Sequence, residues 1–285
     1  MDNNDRIRIY HYTKVDTLLR YILPQMRLRM NALANTNDPT EAMWTLLKER
    51  DWTPSYPIYD TISQVKNFSF SFDRTSADPS TTIFGFEIHP MWAHYAENWE
   101  GVCIEINYDK LIENNSTQIY RHDIRCREII YTNSIDRYQD IPQRDFDDTL
   151  INAREYALDL IQKNEFVHER FFKKDRTWSY EQEYRFVALK DFEEEIYLKL
   201  DGAIEKIILG PRFNIHLYPA VRKLIQEHGL NTDIIRECDV NTLGTITVGE
   251  RYESYYNANR ISTKNREREE MDKKFLAHIK ETQKP

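Results

Sequence analysis

The sequence WSYEQEYRFV, residues 178–187, predicts a turn that continues into a β-strand. Side chains alternate between the two faces of a strand, so Glu181, Glu183 and Arg185 are predicted on one face and aromatic side chains on the other. Two carboxylates and a guanidinium in one row are costly to bury unless they are paired or used in function. A sheet face with Glu–Arg pairs open to water is the simpler explanation. Other polar clusters in the chain bear on the choice between a functional site and a solvent-exposed row of ion pairs.

A second stretch, NFSFSF at residues 67–72, alternates strictly between phenylalanine and small polar residues. This pattern predicts a central strand whose three phenylalanines face the core. Ser69 and Ser71 then lie on the opposite face. Their small side chains leave room there for a ligand or another element.

The N-terminal part of the chain adds two strands and a short helix. Residues 6–12 alternate apolar and polar side chains and predict a strand, and residues 28–33 predict another. Thr13 is a plausible N-cap for the helix between them, and Pro24 is predicted to end it.

A further helix start is predicted at Asp38. Asp38 as N-cap, Pro39 at the first helical position and Glu41 at the third form a capping-box-like start for a helix to about Lys48. A helix N-terminus also attracts anionic ligands, but an aspartate at the cap opposes them.

The rest of the chain alternates helical and strand patterns. Helices are predicted over residues 89–99 and 217–228, and residues 145–172 predict one long helix or a pair of helices. Strands are predicted over residues 101–106, 183–189, 196–200, 204–209, 233–236 and 245–252, with two more within residues 119–131. We therefore expect an α+β fold, a single domain over residues 1–255 with a central twisted, mostly antiparallel sheet flanked by helices. Residues 256–285 are predicted to form a charged tail, helical or partly disordered.

Composition and charge limit the classes of function. The net charge of −8 argues against bulk electrostatic binding to nucleic acid, although a local basic groove is compatible with it. Three cysteines that lie far apart, with no Cys-x-x-Cys pair, favour a reducing cytoplasm. No apolar signal region begins the sequence, and no apolar run approaches the ~20 residues of a membrane span. We expect a cytoplasmic protein without membrane contact.

Glycine-rich nucleotide motifs and metal-ligand spacings do not occur in the sequence. There is no Gly-x-Gly-x-x-Gly and no phosphate-binding loop that ends in Gly-Lys-Ser/Thr. The eight histidines include no His-Glu-x-x-His pair, and His89 and His94 are five residues apart, an awkward spacing for one helical face. No metal is therefore expected. Cys103 lies in an apolar strand pattern and is expected to be a buried core cysteine.

Six short motifs occur in order along the chain, and most of them place polar residues beside aromatic ones. In chain order they are Tyr10-His11-Tyr12-Thr13, Asn37-Asp38-Pro39-x-Glu41, Ser69-Phe70-Ser71, Met91-Trp92-x-His94-Tyr95, Gly101-Val102-Cys103-Ile104 and Trp178-x-Tyr180-Glu181-x-Glu183-Tyr184-Arg185. Together they resemble a widespread bacterial family of uncharacterised domains, the domain-of-unknown-function family 2971, over roughly residues 8–215. That resemblance implies no activity.

A more distant resemblance does imply one. The opening Tyr-His-Tyr-Thr strand, the short helix after it and a glutamate on a late strand are similar to the plan of ADP-ribosyltransferase toxins. The resemblance implies an enzyme that uses NAD, in a toxin or in defence against phage. Glu183 would be the catalytic residue, with Glu181 as the rival for that role. The implied cofactor-binding residues are His11, Tyr12, Thr13, Asn37, Ser71, Trp92, His94, Tyr95 and Arg185.

Within that set, the resemblance implies that His11 and Thr13 contact NAD, and that Ser71 and Tyr95 shape the nicotinamide pocket. We therefore expect His11, Ser71, Tyr95 and Glu183 to converge on one cleft. Cleavage of the nicotinamide–ribose bond develops positive charge on the sugar, which a nearby carboxylate opposes. The same carboxylate can take the proton from an acceptor. The sequence does not identify that acceptor, a protein or a nucleic acid.

Arg185 supports an alternative, because it lies on the face of Glu183 and would neutralise it in a structural pair. The chain would then be a non-catalytic sensor or interaction module of a defence system. Such a module would bind a nucleotide or a phage protein in the same cleft. An antitoxin or a phage protein is a further expected partner. A third hypothesis, a nucleic-acid-processing enzyme, is opposed by the acidic charge.

Overall fold

The computed structural model describes residues 7–38, 41, 56–74, 82–133 and 150–251. The strands in chain order are β1 (Arg8–Thr13), β2 (Arg27–Arg29), β3 (Asn31–Ala32), β4 (Lys66–Phe72), β5 (Val102–Asn107), β6 (Ile124–Glu128), β7 (Ile130–Thr132), β8 (Lys173–Asp175), β9 (Glu183–Ala188), β10 (Tyr197–Lys199), β11 (Ile204–Leu209), β12 (Ile235–Val240) and β13 (Ile246–Arg251). The α-helices are α1 (Val15–Thr17), α2 (Leu23–Gln25), α3 (Tyr56–Ser63), α4 (His89–His94), α5 (Tyr108–Arg121), α6 (Leu150–Lys163), α7 (Glu165–Phe171) and α8 (Tyr218–Glu227).

A nine-stranded sheet organises these elements. Its order is β13-β12-β11-β5-β1-β4-β9-β6, and β3 also pairs with β4. Adjacent strands are antiparallel except β11 and β12, which are parallel. Strands β2 and β10 form one small sheet, and β7 and β8 form another. The predicted fold class, an α+β fold with a mostly antiparallel central sheet and flanking helices, is confirmed.

The two faces of the sheet carry different cores. The larger core contains Phe68, Phe70 and Phe186 on one face. The smaller core, on the other face, surrounds the fully buried Trp92 and includes Tyr10. The alternation in β4 therefore places its phenylalanines as the sequence predicts. Its third phenylalanine is only partly buried and packs at the margin of the larger core.

The helical region after β1 differs from its prediction. Lys14 rather than Thr13 is the N-cap, and Pro24 does not end the helix. A π-helical turn, Leu18–Ile22, lies directly before α2, in which Pro24 is among the first residues. Proline lacks an N–H, so it is tolerated where a helical segment begins. The helix ends instead at Met26, which has a φ of 45°.

Helix α5 was not predicted, and its last residues were assigned to a strand. The Asn107 side chain accepts a hydrogen bond from the Lys110 N–H at 3.1 Å, which is a standard N-cap. The strands predicted over residues 119–131 are β6 and β7, which begin after this helix. The segment over residues 145–172, predicted as one long helix or a pair of helices, is a pair, α6 and α7, where the structure describes it.

Two predictions lie mainly or wholly outside the described residues. They are the helix from Asp38 to Lys48, of which only Asp38 and Glu41 are described, and the tail over residues 256–285. The described helices include none that is both long and apolar enough to cross a membrane.

The central sheet splits between β1 and β4. These strands pair only at Ile9–Phe72 and Tyr10–Ser71. Beyond that point β1 stays with β5, while β4 pairs with β3, starting at Asn31–Asn67. The middle of β4 therefore has β9 on one side and a gap on the other.

Candidate functional site

A cavity of about 180 Å³ lies at this split, next to the sheet face that carries Ser69 and Ser71. It is smaller than the roughly 300–1,000 Å³ typical of pockets for drug-sized ligands, so it fits part of such a molecule. Polar side chains from distant parts of the chain meet there with aromatic ones. The lining residues are Tyr10, His11, Tyr12, Asn31, Asn35, Thr36, Asn37, Asn67, Phe68, Ser69, Phe70, Ser71, Met91, Tyr95, Lys174, Glu181, Glu183 and Arg185.

Glu183, at the start of β9, is a buried and fully paired carboxylate. Arg185 Nε donates to its Oε1 at 2.5 Å, and Ser69 Oγ donates to the same oxygen. Lys174 Nζ lies 3.3 Å from its Oε2. Burial alone would raise the pKa of Glu183, but Arg185 and Lys174, together with these hydrogen bonds, lower it to about 2. Glu183 is therefore held ionised.

Glu181 ends the 3₁₀ segment Arg176–Glu181 and reaches the same cluster from outside the strand. Gln182 adopts a left-handed conformation with a φ of 45°, and this turn joins the segment to β9. The two oxygens of Glu181 have different partners: Oε1 accepts from Tyr95 Oη and Oε2 accepts from Lys174 Nζ, each at 2.6 Å. Burial raises the pKa of Glu181, Lys174 opposes that rise, and the carboxylate of Glu183 adds to it.

Five buried ionisable residues, all of which except Glu41 line the cavity, form one cluster. Glu41 joins it, since Arg185 Nη1 and Lys174 Nζ lie 2.7 and 3.1 Å from its carboxylate oxygens. Burial alone would lower the pKa of Lys174, but the surrounding carboxylates raise it well above the usual value. The same balance raises the pKa of Arg185. Three carboxylates thus face two cations, and the negative charge of Glu183 contributes to the raised pKa of Glu181.

The ring of His11 lies on the opposite face of the sheet from this cluster. Tyr10 pairs with Ser71, so the side chain of His11 projects to the other side, where its ring centroid is 4.8 Å from that of Phe68 and 6.3 Å from that of Phe70. His11 still borders the cavity, because the sheet is open there. Burial lowers its pKa to about 4, so the imidazole is neutral at pH 7.

The structure brings together most of the residues expected at the site. Those at the cavity are His11, Tyr12, Asn37, Ser71, Tyr95, Glu181, Glu183 and Arg185. Thr13, Trp92 and His94 are not among the lining residues. Thr13 is buried at the end of β1, and Trp92 is fully buried, with its Nε1 donating to the Phe86 carbonyl at 2.8 Å. His94 is exposed and lies 6.3 Å from the ring of Tyr180.

Lys174 is the important residue that sequence reasoning missed. It lies in the stretch Lys173-Lys174-Asp175-Arg176, which has the composition of a solvated turn, and no signal in that stretch marks Lys174 as buried. Glu41 was interpreted only as a capping residue. Its carboxylate instead binds two cations from parts of the chain more than a hundred residues away. Among the described residues, no group of histidine, cysteine and acidic side chains is arranged to hold a metal ion.

Comparison with known proteins finds a similarity to one family over part of the chain. No curated protein and no solved structure matches it. Residues 91–186, about a third of the chain, match the model of a family described as "Protein of unknown function (DUF2971)". The match includes Tyr95, Lys174, Glu181, Glu183 and Arg185, so it covers one side of the cavity. This part of the chain is thus similar to that family, in agreement with the resemblance seen in its motifs.

Proposed function

We propose that this chain is an ADP-ribosyltransferase-like enzyme that cleaves NAD, and that Glu181 rather than Glu183 is its acting carboxylate. The observation that carries the proposal is the environment of Glu181. It is a buried carboxyl group at the cavity, with one oxygen on Tyr95, the other on Lys174, and a raised pKa. Groups with perturbed pKa values in a cleft are candidates for acid–base work.

Glu183 is a poorer candidate because its charge is already compensated. Arg185, Lys174 and Ser69 occupy its two oxygens, and its low pKa makes it a weak proton acceptor. We assign Glu183 to holding Lys174 in place beside Glu181. Lys174 in turn fixes the orientation of the Glu181 carboxyl group.

The proposed chemistry needs one carboxylate near the breaking bond. Loss of nicotinamide makes the ribose cation-like, and ionised Glu181 would stabilise that charge at close range. It would then accept the proton of the attacking hydroxyl or amine. The cavity is too small for a whole dinucleotide, so the nicotinamide end would enter it and the remainder would lie outside. The acceptor would be a protein or a nucleic acid, and the role that of a toxin or of a defence against phage.

One observation favours a second candidate, a non-catalytic module that binds a nucleotide or a phage protein in the same cavity. Both carboxylates have a cationic partner, as expected of a structural cluster. Such a module would bind its ligand and leave it intact.

The deciding experiment compares nicotinamide release by the wild type, Glu181→Gln and Glu183→Gln, with cell extract as the source of acceptor. Glutamine keeps the size of the side chain but cannot oppose a developing positive charge. We expect Glu181→Gln to lower turnover by roughly 10²–10³-fold. Glu183→Gln should mainly lower stability. Glu105→Gln is the matched control, because Glu105 is also a buried carboxylate but pairs with Lys206 and does not line the cavity.

The outcome separates the two candidates. Suppose the wild type binds NAD measurably by calorimetry and yet releases no nicotinamide. That result would exclude the enzyme and support the non-catalytic binding module. Equal loss of turnover in Glu181→Gln and Glu105→Gln, at matched folded yield, would show that Glu181 has no special role. Toxicity on induced expression, and resistance of the host to phage, test the biological role separately.

A further inference from the structure

The chain turns left-handed soon after α4, where the sequence predicts a helix that continues to residue 99. The helix ends at His94, and a turn follows. Glu97, Asn98 and Trp99 have φ values of 51°, 53° and 73°. A residue with a Cβ is disfavoured in this region, and left-handed residues normally occur singly. Three in succession, none of them glycine, therefore form a strained segment that the surrounding structure has to hold in place.

The turn is held by its own helix and by the loop after β11. Trp99 N–H donates to the Trp92 carbonyl at 3.1 Å, and the two indole rings stack, 5.8 Å apart and 7° from parallel. From the loop, Arg212 N–H donates to the Trp99 carbonyl at 3.2 Å, and Gly210 N–H donates to the Gly101 carbonyl at 2.9 Å. Tertiary contacts thus maintain a conformation that the turn residues themselves disfavour.

Tyr95, between the helix and the turn, connects this segment to the cavity. Its Oη donates to Glu181 Oε1 at 2.6 Å. Its backbone φ is −110°, against about −63° in a regular α-helix. Ala96, the next residue, donates its N–H to the Met91 carbonyl at 3.3 Å, five residues back instead of four. The path of the chain into the turn therefore sets where the Tyr95 hydroxyl lies.

A right-handed continuation of α4 is the unstrained alternative for the same segment. Trp92, Tyr95 and Trp99 recur at helical spacing, which is why the sequence predicts a helix there. In a longer helix the Trp99 N–H would bond to the Tyr95 carbonyl, and the two rings would lie side by side. Trp92 and Trp99 would be about 10 Å apart along the axis and no longer stacked. Local preference and tertiary contacts thus favour different structures for this segment.

We propose that residues 97–99 form a two-state positioning element for Tyr95. In the left-handed state the turn holds the Tyr95 hydroxyl on Glu181. In the right-handed state α4 extends to Trp99, the tryptophan stack opens, and Tyr95 leaves Glu181 for the Trp99 ring. A small change in strain shifts such an equilibrium, so exposed residues outside the cavity control whether Glu181 keeps this partner. The consequence for turnover rests on the proposed function, whereas the strain and the two states are properties of the free protein.

The first test measures the strain by thermal unfolding. Glu97→Gly should raise the melting temperature by about 1–3 °C, because Glu97 is exposed and glycine adopts a positive φ at no steric cost. Glu97→Ala keeps a Cβ and should not raise it. Glu113→Gly is the matched control, since Glu113 is an exposed glutamate inside helix α5, where glycine lowers stability. A lower melting temperature for Glu97→Gly, or an equal rise in Glu97→Ala, would overturn the inference.

The second test follows the tryptophan stack by circular dichroism. Stacked indoles couple and give a couplet of opposite signs, and its loss in Trp99→Phe identifies the signal. Asn98→Val should remove most of the couplet, because a β-branched residue is a severe outlier at positive φ. Asn98→Asp should keep it, since aspartate tolerates that region as asparagine does. A full couplet in folded Asn98→Val would overturn the inference, because it would mean that the segment has no second structure.

The effect on the site is measured by a double-mutant cycle. We expect Asn98→Val and Tyr95→Phe each to lower nicotinamide release roughly tenfold, and the double variant to lose no more than either alone, because both remove the same hydrogen bond to Glu181. Losses that multiply would overturn the positioning role, since the turn would then act independently of Tyr95. The same cycle in the free energy of unfolding measures this coupling without turnover. A wild type that releases no nicotinamide therefore refutes only the proposed function, and the two proposals can fail separately.

Discussion

Replacement of Arg185 by methionine should destabilise this protein strongly and in a pH-dependent way. Arg185 is 1% exposed, and its guanidinium binds Glu183 Oε1 at 2.5 Å, Glu41 Oε2 at 2.7 Å and the Phe171 carbonyl at 3.0 Å. Methionine fills a similar volume but removes the charge. Three buried carboxylates, those of Glu41, Glu181 and Glu183, then share a single cation, Lys174.

Two independent estimates of the stability lost in Arg185→Met give the same magnitude. Removal of one partner from a buried ion pair costs about 3–5 kcal/mol, because it leaves an uncompensated buried charge. The pKa of Glu183, lowered from 4.5 to about 2, corresponds to roughly 3 kcal/mol of stabilisation at 1.36 kcal/mol per pKa unit. Lys174 contributes part of that stabilisation, so the lower end of the range is the better expectation.

The contribution of Glu183 to stability depends on pH in opposite directions in the wild type and in Arg185→Met. In the wild type the folded-state pKa of Glu183 lies below its ordinary value, so its stabilisation is present above about pH 4.5 and is lost as the pH falls toward 2. In Arg185→Met, burial dominates and raises that pKa. The variant is therefore most destabilised at neutral pH and recovers stability, relative to the wild type, as the pH falls toward 5.

Urea unfolding at pH 7 and pH 5 measures this difference. Arg212→Met is a matched control, because Arg212 is exposed and its pair with Glu100 should contribute only about 0–1 kcal/mol. A free energy of unfolding for Arg185→Met within 1 kcal/mol of the wild type at pH 7 would refute the argument. So would a loss that is independent of pH, because a packing defect does not titrate.

Two further predictions concern packing. Phe70→Ala should lower the free energy of unfolding by roughly 3–5 kcal/mol, because Phe70 is 2% exposed in the larger core; an unchanged melting temperature would contradict its placement there. Gly210→Ala should destabilise the folded protein, because the added Cβ would lie 2.2 Å from the Trp99 carbonyl oxygen. The loss should exceed the few tenths of a kcal/mol that a tolerated surface substitution costs. An added Cβ at Gly229 would meet no such contact, but the positive φ of 68° there would strain an alanine. The melting temperatures of Gly210→Ala and Gly229→Ala therefore compare the effect of a steric collision with that of backbone strain.

The local pattern of side chains predicted much of the fold. The strand at residues 204–209 coincides with β11, and the alternating phenylalanines predicted which face of β4 enters the larger core. Periodicity reports burial directly, since side chains on one face of a strand share one environment. The same alternation placed Glu183 and Arg185 on one face, where they form a buried pair.

The sequence did not reveal helix α5 or the continuation of the helix through Pro24. In both cases a single local residue is compatible with two structures, and tertiary packing decides which of them forms. Asn107 is a common N-cap residue that is equally frequent in turns, and a proline is compatible with the first turn of a helix as well as with its end.

The sequence by itself determined that polar residues alternate with aromatic ones on two strands, and that a carboxylate row includes an arginine. Only the tertiary structure decided what these residues do, because the contacts join distant parts of the chain. Ser69 binds Glu183 and Glu41 binds Arg185 across more than a hundred residues, and Lys174 enters between three carboxylates from a stretch that resembles a surface turn. The gap at β1 and β4 likewise arises from strand pairing, which periodicity within one strand does not encode.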